Sequence, residues 1–195
     1  MTDNLVLDPK RTALVLIDLQ QGIMRRQTAP HSAAVVLTKG VHLAKRFREA
    51  GAAVVLVNLS FAPGGEDRLK QPIDAPPMPP AEKGWDELAP ELGRNASDIL
   101  ITKRQWGAFY GTALDLHLRR RGIDTIVIGG IATNFGVEST ARDGYERGYA
   151  FVFAEDAMAG LSAEAHAFAI TTIFPRLGRV TSTEQVLGAL KAGAV

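Results

Sequence analysis

The chain contains no cysteine among its 195 residues. That absence excludes disulfides, thiolate metal sites and any cysteine nucleophile. An excess of charge of either sign is also missing, since 22 Lys and Arg face 21 Asp and Glu for a net charge of +1. So close a balance argues against a dedicated binder of nucleic acid or of anionic membranes. No apolar run approaches the ~20 residues that span a bilayer. Residues 1–11 lack the apolar stretch of a secretory signal. The expectation is a cytoplasmic protein with no nucleic-acid and no membrane partner. Histidine is scarce too, with His31, His42, His117 and His166 the full set. His117 and His166 fall on amphipathic helices, where packed or surface roles are expected.

What is present is the alternation of an α/β protein. Hydrophobic residues make up 46% and charged residues 22%, ordinary for one globular domain over residues 1–195. Apolar runs at residues 13–17, 53–57, 99–102, 125–128 and 150–154 read as strands, with a short sixth at 178–181. Between them apolar residues recur at helical spacing, with stops at Gly51, Gly122 and Gly148. One helix starts near Phe135, and Ser162 caps another that runs toward Pro175. Ser182 and Gln185 match a capping box for the last helix. Such alternation predicts a three-layer α/β/α fold around a mostly parallel, about six-stranded sheet. Residues 62–84 hold six of the ten prolines and read as a long loop at the site or at a subunit contact.

In open parallel sheets the ligand crevice lies beyond the carboxyl ends of the strands. Asp18 ends the first strand, Lys103 ends the third, and residues 129–136 form the turn after the fourth. A carboxylate at the mouth of a buried strand is desolvated unless a cation compensates, and Lys103 is the candidate cation. Trp106 and Phe109 follow Lys103 and can wall a pocket or fill core. The fourth turn reads Gly129-Gly130-Ile131-Ala132-Thr133-Asn134-Phe135-Gly136. It is neither GxGxxG nor GxSxG, but its small residues before a helix leave backbone N–H groups for an anion. Ser139 and Thr133 carry hydroxyls with no histidine near them in sequence. Asp156, at the end of the fifth strand, is expected to cap a turn.

These pieces together resemble the isochorismatase-like hydrolase superfamily, the cysteine hydrolases. The resemblance rests on Leu16-Ile17-Asp18-Leu19-Gln20, on Lys103 with Ala108-Phe109, and on residues 130–134 through Val137, Thr140, Ala141 and Gly148-Tyr149. Glu155-Asp156-Ala157 and His166 extend it over nearly the whole chain, in the family's order. It implies a catalytic set of Asp18 and Lys103, with Gly136 standing where relatives carry the nucleophilic Cys. It implies a binding set of Gln20, Trp106, Phe109, Ile131, Ala132, Thr133 and Phe135. It implies a non-proline cis peptide at Ile131-Ala132, a small-molecule substrate and a homodimer or larger homo-oligomer. Nicotinamidases of this superfamily bind a metal through an Asp-x-His motif and a second His after the second strand. Residues 58–85 contain no His, so no catalytic zinc and no other cofactor is expected. True isochorismatases also have Gly at the Cys position. They hydrolyse a vinyl ether, which needs a proton donor and a water rather than a covalent nucleophile. By that analogy Asp18 is the acid and Lys103 its electrostatic partner. The turn Ala132-Thr133-Asn134 differs from the Tyr-Ala-His of true isochorismatases and is closer to the amidase branch. Two further readings stand beside this one: a catalytically inactive relative that binds a small metabolite, and an amidase using Ser139 or Thr133.

Overall fold

A computed structural model describes residues 5–76 and 82–190. Six strands form one sheet: β1 (Thr12–Ile17), β2 (Ala53–Leu59), β3 (Ile99–Lys103), β4 (Thr125–Ile131), β5 (Ala150–Ala159) and β6 (Gly178–Thr181). Their order is β3-β2-β1-β4-β5-β6, and every pairing is parallel. The chain winds outward from β1 to one edge, then returns to β4 and winds to the other. The reversal between β1 and β4 is the topological switch point, where α/β proteins place ligands.

Parallel strands buried on both faces must be apolar throughout, and β1 is buried at all six positions. Ala13, Val15 and Ile17 face one layer, built from α3 (Leu114–Arg120), α4 (Glu138–Glu146) and the turns over residues 169–176 that follow α5 (Ala163–Phe168). Leu14 and Leu16 face the other, built from α2 (Ala33–Glu49) and α6 (Thr183–Ala189). A single helical turn, α1 (Gln21–Met24), follows β1 and gave no periodic signal. Ser32 and Ser162 cap α2 and α5, and Ser182 with Gln185 forms the expected capping box on α6.

Three boundaries differ from the sequence reading. The helix expected from Phe135 begins as a π-helical turn (Thr133–Val137) before α4 proper. The helix running toward Pro175 gives way after α5 to a π turn and then a 3₁₀ turn (Phe174–Arg176) that carries the proline. β5 does not stop at Ala154. It bulges through Glu155 and Asp156, shifts register, and pairs again as Gly130 with Met158 and Ile131 with Ala159. Charged residues in the bulge hid that continuation. Gly130 permits it: its φ is +120°, and a Cβ there would meet the Ile17 carbonyl oxygen at 2.1 Å.

Of the proline-rich stretch, the described residues form turns and bends without strand or helix. Pro77, Pro79 and Pro80 lie outside the described residues. The loop is fastened beside Lys103, because Asp67 pairs with Arg104 and accepts from the Ala62 N–H. Arg68 covers the Phe61 ring, which stacks on Trp85. No described helix is long and apolar enough to cross a membrane.

Candidate active site

Asp18 is the first residue beyond β1, and its N–H still donates to the Val57 carbonyl at 2.9 Å. There the chain turns sharply, and Asp18 takes φ = +52°. Among the described residues no other non-glycine has positive φ. Asp tolerates this left-handed region better than most residues, and such conformations concentrate at functional sites.

Lys103 lies at the far edge of the sheet, two strands away. Its long side chain crosses the end of β2, and Nζ donates to Asp18 Oδ2 at 2.8 Å. A second bond, 3.1 Å long, goes to the Gln105 carbonyl. Both side chains are nearly shut from solvent, Lys103 at 1% and Asp18 at 7% exposure. Asp18 Oδ1 is buried and makes no hydrogen bond. Burial pushes the Asp18 carboxyl up to about 6, and the Lys103 ammonium opposes this only in part. An acid beside a lysine can therefore still hold a proton near neutral pH.

Gly136 sits against this pair. A Cβ on Gly136 would lie 3.3 Å from Asp18 Oδ2, 3.5 Å from the Trp106 carbonyl and 2.8 Å from Ile17 Cγ2. Its φ is not positive, so space rather than backbone conformation calls for glycine here. The π turn presents it: the Val137 N–H reaches back five residues to the Ala132 carbonyl at 3.2 Å. The peptide Ile131-Ala132 is cis.

Asp18, Lys103 and Gly136 thus converge, and two aromatics meet beside them. Trp106 is 60% exposed and meets Phe135 edge-on at 4.9 Å. Other residues of the expected binding set do different work. Phe109 is core, stacked on Tyr149 at 5.6 Å rather than lining the mouth. Gln20 is fully buried, and its amide is saturated by the Leu59 N–H (2.8 Å), the Leu59 carbonyl (2.9 Å) and the Trp85 carbonyl (3.3 Å). It clamps the ends of the strands and has no free group for a substrate. Ile131 packs in the core beneath α2, with Ala132 against it. The Thr133 hydroxyl lies 2.8 Å from His166 Nδ1. That is the spacing of a nucleophile and its base, but Thr133 is wholly buried and His166 nearly so. Ser139 packs against Gly107, whose Cβ would lie 3.7 Å from the serine Cβ. Asp156 caps the start of α6 through the Thr183 N–H and hydroxyl, with Lys39 on its other oxygen.

Two supporting residues stand outside the expected catalytic and binding sets. Thr140 donates to the Gly136 carbonyl at 2.6 Å and accepts from the Ala108 N–H at 3.0 Å. It fixes the π turn to the loop after β3; the family resemblance includes this threonine, four residues beyond the glycine, but gave it no role. Gln105 holds that loop in shape by donating to the Gly107 and Tyr110 carbonyls.

A family model described as "Isochorismatase domain" matches residues 12–185. The chain is 51% identical over 187 residues to the uncharacterized isochorismatase family protein YecD of Escherichia coli O157:H7, covering 95% of this chain and all of that one. It is 34% identical over 177 residues to the ureidoacrylate amidohydrolase RutB of Acinetobacter baylyi, covering 77% of this chain and 71% of that one. Among solved structures, an isochorismatase family protein from Burkholderia thailandensis matches with a TM-score of 0.91 at 47% identity, over 95% of this chain and 97% of that one.

Proposed function

The chain belongs to the isochorismatase family of hydrolases, and from that premise we propose that it hydrolyses a small molecule by proton transfer from Asp18, without a covalent enzyme intermediate. The observation that carries this is the state of Asp18: buried, raised to about 6, tied through Oδ2 to Lys103, and unpartnered at Oδ1. Similarity to an amidohydrolase supports the hydrolase class. The chain's lack of cysteine closes the thioester route.

The substrate class that fits is a vinyl ether. Protonated Asp18 delivers its Oδ1 proton to the enol-ether carbon, leaving an oxocarbenium ion. Water adds to that cation, and its proton returns to the carboxylate. The hemiketal then collapses to a carbonyl compound and an alcohol. Lys103 compensates the negative charge that Asp18 carries between the two transfers. A group of this kind works best with its pKa near the operating pH. The backbone N–H groups of the turn and the rim aromatics would hold a small carboxylate substrate.

Ile17 favours a second reading. Its Cγ2 lies where a side chain at position 136 would need room. A relative whose nucleophile space has closed, and which binds a small metabolite without turnover, also fits. Isochorismate hydrolysis, run beside a panel of small amides with wild type and Asp18→Asn, separates the two. Turnover of isochorismate lost by at least about 100-fold in the variant supports the acid role. A stabilising ligand in a thermal-shift screen, with no turnover of any substrate, supports the binding reading. In either case we propose a homodimer or larger assembly, which sedimentation velocity tests.

A further inference from the structure

The fold gathers a second polar cluster on the other side of the β4–α4 turn. His31 lies in the loop before α2, Glu155 in the bulge of β5, and His166 on α5. One donor atom from each lies within 4.8 Å of the others. His31 Nε2 is 3.9 Å from Glu155 Oε2, and the two imidazoles meet edge-on with centroids 6.0 Å apart. The backbone frame beneath them is fixed, since Ala29 and Gly160 exchange both N–H···O bonds, at 3.0 and 2.9 Å.

Two features distinguish this cluster from a chance meeting of surface groups. The first is the donor set. Two imidazoles and one carboxylate suit zinc and similar divalent ions, and three protein ligands suffice when a water takes the fourth position. The second is the partner behind His166. Metal-bound histidines characteristically donate their other ring N–H to a fixed oxygen, which sets the tautomer and aims the free nitrogen. The buried Thr133 hydroxyl lies 2.8 Å from His166 Nδ1 and can accept from it in the Nδ1–H tautomer, which leaves Nε2 for a ligand. A third sign lies alongside. Asn134 Oδ1 is buried without a partner, and a Cβ on Gly160 would lie 3.3 Å from it and 3.5 Å from His166 Cβ.

We propose that His31, Glu155 and His166 bind one divalent metal ion of the zinc class, and that this ion braces the turn carrying Gly136 by way of Thr133. Tetrahedral zinc with ligands at about 2.0–2.1 Å needs its donors roughly 3.4 Å apart, so donors now within 4.8 Å of one another close by up to about 1.4 Å on binding. The half-exposed side chains of His31 and Glu155 supply that movement. The expectation of no metal rested on residues 58–85, and this cluster draws on none of them. The ion belongs to the turn's support and is independent of the acid assigned to Asp18.

The test is calorimetric titration of the full chain with zinc chloride alone, after stripping with a chelator. The expected result is saturable binding of about one ion per chain, weakened at least about tenfold in both His31→Ala and Glu155→Gln. His42→Ala and Asp18→Asn should bind as wild type does. Cobalt(II) should give the visible absorption of a nitrogen-oxygen tetrahedral site, absent in His31→Ala. Both variants change half-exposed residues outside the core, so circular dichroism should show them folded. No saturable zinc binding by the wild type would overturn the proposal. So would zinc binding of unchanged affinity and stoichiometry in the two folded variants.

Discussion

The proposed chemistry rests on one carboxyl group, that of Asp18, and its protonation leaves a signature in stability. An unfolded aspartate titrates near 3.9, and here burial raises it to about 6. A raised acid binds its proton more tightly in the folded chain, so its favourable contribution is complete below pH 4. That contribution is lost as pH rises through 6. The loss amounts to roughly 3 kcal/mol, discernible as the change between pH 4 and pH 7 in the unfolding free energy of wild type relative to Asp18→Asn. A difference that stays flat over that range would contradict the assignment. Gly136 yields a second prediction. Gly136→Cys or Gly136→Ala places a Cβ against Ile17 Cγ2, and overpacking of this kind costs about 1–3 kcal/mol. Denaturant unfolding should show it, and Gly136→Cys alone should not create an amidase. Ile17→Val removes Cδ1 but keeps Cγ2, so it should give no relief. Asp18, Lys103 and Gly136 were legible in sequence because strand ends mark the crevice and the family resemblance names the positions. The saturation of Gln20 and the core role of Phe109 were not. Both depend on what lies beside them in space, and polarity or aromaticity alone does not reveal it.

At the scale of elements, apolar runs punctuated by glycine located all six strands and the main helices. The misses occur where the backbone departs from a regular period. The π turn before α4, the bulge in β5 and the π turn after α5 interrupt a repeat rather than make one. The first bears Thr133 and Gly136, the second bears Glu155, and the third extends the helix carrying His166. One tertiary tie between elements also left no pattern in the sequence. Arg48 on α2 makes a two-pronged contact with Asp98, at 3.0 and 2.8 Å, and donates to the Leu92 carbonyl. Asp98 is almost fully enclosed at 1% side-chain exposure. Arg48→Ala leaves that carboxylate without its counter-charge, holding only the Asn95 N–H at 2.8 Å, and should cost about 3–5 kcal/mol in unfolding free energy. At the exposed capping box, Ser182→Ala should cost only about 1 kcal/mol. Denaturation midpoints of the two variants should differ accordingly, and a capping loss as large as the ion-pair loss would contradict this ranking.

For the whole molecule, sequence pattern was enough to predict an α/β sheet, because alternation and strand polarity are global properties. What it could not supply is the meeting of groups far apart in the chain. Asp18 and Lys103 are separated by 85 positions, and His31 and His166 by 135, yet each pair shares one pocket of side chains. The first pair was reached through the rule on strand ends. No rule of comparable reach covers a loop, a bulge and a helix face. The whole account turns on whether Asp18 works as an acid. The most direct test is the pH dependence of isochorismate hydrolysis, measured as kcat/KM from pH 4.5 to 8.5. Turnover that falls tenfold per pH unit above about 6, and is abolished in Asp18→Asn, is the predicted result. Turnover that rises through the same range would make Asp18 a base, and turnover that persists in the variant would remove it from the chemistry.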